Sequence, residues 1–206
     1  MKTRFTSIAL VSALTLISEQ LASPQSSVYF DRNDFLNSAG AIPGTQQSIS
    51  FGFPFVTGPS VTIGDVTFTG RDLIRGGPLG SEVALYNFDS HIPLGVHFAN
   101  GARAFGGDFS SFLSPYYSSF TARLTLNNGE VLTFTAPTNP NSTFFGFISP
   151  TPIRSFTYSD GGLFPGIGLH QEMIANLHVV TVPEPHTFGL FALGALLFGW
   201  CLRIIR

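Results

Sequence analysis

The two ends of this chain are apolar, and they confine the folded part to the residues between them. Lys2 and Arg4 precede a mostly apolar run over residues 5–17, and a polar stretch then leads to Ala22. A basic start, an apolar run of about 7–15 residues and small residues after it are typical of a secretory signal peptide. We therefore assign residues 1–26 to a helical signal peptide, and we expect cleavage between Ala22 and Ser27.

A second apolar run lies near the other end. Residues 188–202 contain no charged side chain, and Arg203 and Arg206 follow them. At about 1.5 Å per residue, this run is short for a hydrocarbon core of about 30 Å. Flanking apolar residues and a snorkelling Arg203 bring it close to spanning. The sequence predicts a transmembrane helix with a cytoplasmic C-terminus, because arginines favour that side. The alternative is a short core helix of the folded domain.

A proline motif precedes this run, with the sequence Val182-Pro183-Glu184-Pro185. Proline lacks a backbone donor, and it disfavours helix at the residue before it. The segment should therefore be extended and accessible just outside the membrane, where a processing enzyme can bind it.

The order of proline motif, apolar helix and basic end resembles the PEP-CTERM sorting signal of Gram-negative bacteria, a tail that also occurs in ice-binding proteins. The resemblance implies that an exosortase, an integral enzyme of the inner membrane, recognises Pro183, Glu184 and Pro185. It also implies that the tail is removed near the motif and that the protein passes to the cell surface or to the extracellular polysaccharide matrix. Residues 181–206 would form this signal, with Arg203 and Arg206 as the stop. A plain single-pass anchor is the alternative.

The middle of the chain, residues 27–180, has an unusual composition. It contains 18 of the 22 phenylalanines, no lysine and no cysteine. Its ten carboxylates and six arginines give a net charge of −4. Nucleic acids require clustered positive charge, so they are excluded as partners. Disulfides are excluded as well, so stability must come from packing.

Apolar residues alternate with polar ones over residues 120–126 and 130–136, around Asn127-Asn128-Gly129. A three-residue loop pairs Leu124 with Leu132, which keeps the apolar faces together, whereas a two-residue loop mixes them. This register places Gly129 in the left-handed conformation.

A second hairpin is predicted over residues 61–68, with a two-residue Gly64-Asp65 turn that pairs Ile63 with Val66. Further strands are expected at 49–55, 82–86, 95–98, 102–109, 143–148, 153–158 and 175–180, and a short helix at 34–38 after Asp31. Many short strands with Gly and Pro turns predict an all-β fold, an antiparallel β-sandwich of jelly-roll-like type over residues 27–180.

The middle is also similar to a β-sandwich domain common in PEP-CTERM proteins, through residues 61–68, 103–109 and 144–147. Jelly-roll relatives hold calcium with a carboxylate after the early aromatic strand and an Asp that begins the last strand. Residues 49–53 and Ala175-Asn176 offer neither carboxylate, so we expect no calcium site.

Candidate sites in the middle are few. Asp108 and Glu130 are the best carboxylates for acid–base work, and a glycosidase would need two at a defined separation. The histidines His91 and His97 have no acidic or cysteine partner at metal-ligand spacing. Tyr116 and Tyr117 are candidate glycan contacts, because aromatic faces pack against sugars, but a loop whose aromatic side chains fold back on the core is the favoured alternative.

We therefore expect a non-catalytic exported surface or matrix protein without metal or cofactor. The alternatives are a carbohydrate-binding module that contacts exopolysaccharide and a secreted polysaccharide-acting enzyme.

Overall fold

The computed structural model describes residues 25–52, 56–79, 82–87, 91–111, 118–160 and 171–182. Nearly all of the assigned signal peptide and of the sorting segment lies outside these ranges, and so do Tyr116 and Tyr117. Within the described ranges, no helix is both long enough and apolar enough to cross a membrane.

The described residues form ten strands and one helix. In chain order these are β1 (Ser27–Tyr29), α1 (Arg32–Gly40), β2 (Thr45–Ile49), β3 (Val56–Ile63), β4 (Val66–Leu79), β5 (Glu82–Asn87), β6 (Leu94–Ser111), β7 (Ser119–Leu126), β8 (Val131–Pro137), β9 (Thr143–Ser159) and β10 (Glu172–Thr181). The fold is thus mostly β with one short helix, as the alternating pattern predicts.

All the strands belong to one sheet, and their pairings are antiparallel. Its main path runs β2-β10-β5-β4-β6-β9-β7-β8, with β1 paired to β9 and β3 paired to β4. The expected pairs of short strands at 95–98 and 102–109, and at 143–148 and 153–158, are instead the continuous strands β6 and β9. These two strands pair with each other along most of their length and form a central ribbon.

The ribbon folds over on itself. Val96 of β6 is paired with Phe156 of β9, yet the Phe156 ring lies 4.7 Å from the ring of Phe105, nine positions further along β6. A straight strand would separate positions 96 and 105 by about 30 Å. The register shifts between His97 and Ala104 locate the bend at residues 99–101 of β6 and 149–152 of β9. The two halves of the sheet therefore face each other.

Aromatic side chains fill the space between the two halves. Phe105, Phe109 and Phe145 from one half meet Phe156, Tyr158 and Phe134 from the other, with ring centroids 4.1–5.3 Å apart. All six side chains are at most 5% exposed. Aromatic pairs contribute beyond the burial of their area, which explains how a domain without cysteine is held together.

The fold-over gives the sheet two distinct ends. We call the first the turn end: it holds the bends at 99–101 and 149–152, the turns at 64–65 and 127–129, the first residue of β1 and the last of β10. We call the second the acidic end: it holds the last residue of β6, the last of β9 and the first of β10, with the buried carboxylates of Asp160 and Glu172.

The helix α1 covers the outer face of the half that contains β1, β10 and the C-terminal part of β6. Its N-cap is Asp31, whose side chain accepts hydrogen bonds from the backbone amides of Asn33 and Asp34. The Phe35 ring packs over Gly106 and Gly146, which are register partners in β6 and β9. A Cβ at Gly146 would lie 2.6 Å from the Phe35 ring, so this socket requires glycine.

Both predicted hairpin registers are confirmed. Leu124 pairs with Leu132, Ile63 pairs with Val66, and Gly129 has a φ of 89°. The predicted helix at 34–38 is also confirmed, as part of the longer α1. The prediction of a strand over 49–55 is wrong for residues 50–52, because β2 ends at Ile49. The last strand begins at Glu172 rather than at Ala175.

Candidate functional site

The junction between the sheet and the sorting segment is the first site to consider. Thr181, at the end of β10, is 1% exposed and pairs with Thr45 on one side and Ala102 on the other. The next residue, Val182, donates its backbone amide to the carbonyl of Gly101 at 3.0 Å. Of the four residues of the predicted motif, Val182 is therefore fixed by the sheet. Pro183, Glu184, Pro185, Arg203 and Arg206 lie outside the described residues.

A polar cluster beside α1 is the second site. The Arg32 guanidinium donates to Asp108 Oδ1 at 2.7 Å and to the carbonyl of Asn176 at 3.0 Å, and it lies 4.6 Å from the centre of the Phe144 ring. Asn176 Nδ2 donates to Asp108 Oδ2 at 2.8 Å. Asn176 has a φ of 48°, a left-handed conformation that asparagine tolerates better than most residues. It sits at a bulge in β10, and bulges often re-aim side chains at functional sites.

A pocket of about 380 Å³ lies next to this cluster, between α1, β2 and β10. Its lining combines polar and apolar side chains, namely Arg32, Ser48, Ser50, Asn176 and His178 with Leu36, Ile49 and Leu177. Burial lowers the pKa of His178, and the positive charge of Arg32 lowers it further. The imidazole is thus neutral at pH 7, and its Nδ1 lies 3.3 Å from Ser48 Oγ. Such a lining suits a small, neutral, hydroxyl-rich ligand.

Two buried carboxylates at the acidic end form a third cluster. Asp160 Oδ2 accepts hydrogen bonds from Ser111 Oγ at 2.8 Å and from the backbone amide of Gln171 at 3.1 Å. Glu172 Oε2 accepts from Asn87 Nδ2 at 2.7 Å. Both acidic residues are at most 1% exposed. These bonds join β5, β6, β9 and β10 at the point where each strand meets a connecting segment.

The same cluster perturbs Tyr158. Its hydroxyl donates to the carbonyl of Ser110 at 2.7 Å. Burial raises the pKa of Tyr158 well above its usual value, and the charges of Glu172 and Asp160 raise it further. Because its pKa is raised, the Tyr158 hydroxyl stays protonated and donates its hydrogen bond to Ser110. This bond and the bonds to the two carboxylates hold the strand ends together. The sequence analysis missed Asp160 and Glu172. Each acidic residue stands beside a Gly-rich or polar segment, but nothing in its own segment shows that it is buried.

The two carboxylates singled out from the sequence are not brought together. Asp108 is bound by Arg32 and Asn176 on the outer face near the acidic end. Glu130 lies at the turn end, where its oxygens accept from the backbone amide of Ser26 at 2.8 Å and from Ser26 Oγ at 2.7 Å. Each carboxylate therefore has its own structural partner.

The histidines also have separate surroundings. His97 Nε2 lies 3.2 Å from Thr69 Oγ1, whereas His178 belongs to the cluster beside α1 and His91 is exposed. In the part of the chain that the structure describes, no three His, Cys, Asp or Glu side chains come close enough together to hold a metal ion.

Comparison with solved structures returns carbohydrate-binding modules at low similarity. One is a mutant of a family 29 carbohydrate-binding module, with 12% identity, coverage of 68% of this chain and 93% of that chain, and a TM-score of 0.33. Another is a mutant family 29 module complexed with mannohexaose, with 12% identity, coverage of 68% and 94%, and a TM-score of 0.33. A TM-score this low does not establish a shared fold.

Comparison of the sequence with curated proteins gives no match. A family model described as the PEP-CTERM protein-sorting motif, in contrast, matches residues 181–206. This match begins at the last residue of β10 and includes the proline motif, the apolar run and the terminal arginines. The chain is therefore a PEP-CTERM domain-containing protein, with its sorting motif at residues 181–206.

Proposed function

We propose that this chain is an exported, non-catalytic protein that an exosortase sorts from the inner membrane to the cell surface or to the extracellular matrix of a Gram-negative bacterium. The observation that carries the proposal is the sorting motif at residues 181–206, which follows the last strand of the sheet directly. Removal of the chain beyond Val182 would leave every described strand intact, so the sheet is suited to be a cargo that survives processing.

The location of the two segments outside the sheet supports the same proposal. Ser27 is paired with Ile148, Ile148 with Ala104, and Ala104 with Val180, so the start of β1 and the end of β10 share the turn end. Three strand spacings separate them, or about 14 Å. A signal peptide and a membrane tail that leave from one end can occupy the same bilayer. We also propose that the sheet is a jelly-roll-like sandwich. The support is that the sheet folds over on itself, as such a sandwich requires.

The decisive experiment is expression of the full chain in a host with exosortase and in the same host without it. The intact mass of the product is measured in both. We expect loss of the tail near Pro183 only where the enzyme is present, and a Glu184→Ala variant should keep its tail in both hosts. If the wild-type tail is retained in both hosts, the segment is an ordinary membrane anchor and the proposal is wrong.

A second candidate function is binding of exopolysaccharide in the pocket beside α1. The observation in its favour is the lining, which offers hydroxyl, amide and guanidinium groups next to Leu36 and Leu177. A sugar ring presents hydroxyl groups at its rim and C–H groups on its faces, so both kinds of contact are matched. Tyr116 and Tyr117 are the other candidates for this role.

The binding candidate is tested by retention of the mature protein on the exopolysaccharide of its own producer. Ser48→Trp should fill the pocket and abolish retention, whereas Thr133→Trp, at an exposed position on β8, should leave it unchanged. A Tyr116→Ala, Tyr117→Ala variant tests the tyrosine pair separately. If none of these variants alters retention, both locations are wrong.

A further inference from the structure

The sorting motif overlaps the folded sheet. The family match begins at Thr181, which is buried between Thr45 and Ala102, and continues with Val182, which is bonded to Gly101. A Cβ at Gly44 would clash with the carbonyl oxygen of Thr181, so the chain packs closely here. The first two residues of the motif are thus part of the sheet, and Pro183 follows with no spacer.

The connection to the apolar run is short. Residues 183–187 are the only ones between Val182 and the start of the run at Phe188. At about 3.5 Å per extended residue, they reach at most about 17 Å. The headgroup layer itself takes about 5–8 Å of that length. With the run in the bilayer, as the proposed function requires, the turn end is held against the headgroups, and an enzyme that binds the proline motif has to occupy the same narrow space.

The surface that faces this space carries several short, uncharged side chains, alongside the carboxylates of Asp65 and Glu130. Ala99, Asn127, Thr151 and Pro152 are exposed there. Pro152 lies next to Gly101, since a Cβ on that glycine would be 3.4 Å from Pro152 Cβ. The backbone amide of Asn127 donates to the carbonyl of Ser155 at 2.9 Å, which holds the 127–129 turn against the same surface. Because these four side chains are short, another protein can approach the backbone of the bends closely.

We propose that the turn end is a docking surface for the processing enzyme, so that the exosortase contacts the folded cargo as well as the proline motif. This inference rests on the proposed function, and it adds that recognition extends beyond residues 183–206 to the bends and turns of the sheet. The partner is a membrane-embedded enzyme whose outer face contacts Ala99, Thr151 and Pro152 while its active site holds the motif.

The test compares the rate of processing among full-length variants in cells that contain exosortase. Thr151→Arg and Ala99→Arg place a long charged side chain on the turn end, and Ser142→Arg places the same side chain at an exposed position near the acidic end. Pulse–chase conversion of precursor to mature mass gives the rates. We expect the first two variants to be processed about tenfold more slowly, which corresponds to a loss of about 1.4 kcal/mol, and Ser142→Arg to match wild type.

A second arm separates docking from misfolding. Eight Gly and Ser residues are inserted between Val182 and Pro183, so that the sheet is no longer held close to an enzyme that binds the motif. The insertion alone should slow processing about tenfold, and it should add little to the effect of Thr151→Arg, because both changes remove the same contact, whereas a folding defect would add to it. A Thr151→Arg rate equal to wild type, an insertion without effect, or additive losses would overturn the docking surface. If the wild-type chain itself is never processed, the proposed function fails and the docking surface with it.

Discussion

The turn end and the acidic end of the sheet are closed by different means. At the turn end the chain reverses through short turns at 64–65 and 127–129 and through bends inside β6 and β9, and Gly64, Gly101 and Gly129 adopt positive φ angles. At the acidic end, buried side chains join the strand ends, with Asp160 bound to Ser111 and Glu172 bound to Asn87. Backbone conformation closes one end, and buried polar side chains close the other.

The two ends of the sheet therefore have different roles. The turn end carries both segments that lead to the proposed membrane attachments, and short glycine turns close it. The acidic end points away from those segments, and its buried hydrogen bonds anchor connections that are longer in sequence, such as residues 161–170. The end assigned to the membrane therefore depends on backbone conformation, whereas the opposite end depends on a few side chains.

The largest expected effect is at the acidic end. Asp160→Ala removes the hydrogen bonds that its carboxylate accepts from the buried Ser111 hydroxyl and from the Gln171 amide, so the free energy of unfolding should fall by about 3 kcal/mol. Asp65→Ala, at the turn end, is the matched control and should cost less than about 0.5 kcal/mol. Denaturant unfolding of both variants is the measurement. Equal losses would show that the two ends do not differ in their dependence on carboxylates.

An intermediate effect is expected at the bend of β6. Gly101 has a φ of 81°, so Gly101→Ala should lower the free energy of unfolding by about 1–2 kcal/mol. Gly40→Ala, at the end of α1 with nothing within 4 Å of the new Cβ, should be neutral or slightly stabilising. Thermal unfolding distinguishes the two signs. A neutral Gly101→Ala would mean that the turn end does not depend on its backbone conformation.

A smaller effect is expected where the N-terminal segment meets the turn end. Glu130→Gln weakens the bonds that Glu130 accepts from the Ser26 backbone amide and from Ser26 Oγ, Ser26→Ala removes the second of these bonds, and each change should cost about 1 kcal/mol. Because both changes affect the Ser26 Oγ bond, their effects should be less than additive in the double variant. A double-mutant cycle on the mature chain measures this coupling. Additive losses would show that Ser26 does not bind the turn end in solution.

The smallest effect is a pH dependence that belongs to neither end. The pKa of His178 is lower in the folded chain than in the unfolded chain, so the unfolded chain binds more protons between the two values. The free energy of unfolding should have its full value above about pH 6.5. It should decline as the pH falls through the pKa of His178 in the folded chain. Unfolding followed from pH 7 to pH 5 should show this decline in wild type and a shallower one in His178→Asn. An identical slope in both would assign the decline to other groups.

Local features were predictable from the sequence. Apolar and polar residues alternate in the two strands around residues 127–129, and one pairing register keeps Leu124 and Leu132 on the same face of the sheet. The structure has that register. Asp31 is positioned to cap α1, and it does. The sequence did not predict that β6 and β9 continue through their bends, because Gly101 and Pro152 look like strand ends when each is considered alone. In the fold, pairing between the two strands carries them through those positions.

The candidate sites divide in the same way. The sorting motif was readable because its residues are contiguous, from Val182 to the terminal arginines. The Arg32–Asp108–Asn176 cluster was not, because its members come from α1, β6 and β10 and meet only through pairing across the sheet. Asp160 and Glu172 were missed for the same reason, since nothing in their own segments shows that both are buried.

By itself, the sequence determined the features that depend on neighbouring residues: the two hairpins, the helix cap, the all-β class and the sorting motif. Tertiary structure alone decided which strands share an end, which carboxylates are buried, and that the motif begins inside the sheet. The physical reason is that turn and pleat preferences act over a few bonds, whereas burial and strand order result from packing an aromatic core between the two halves of the sheet.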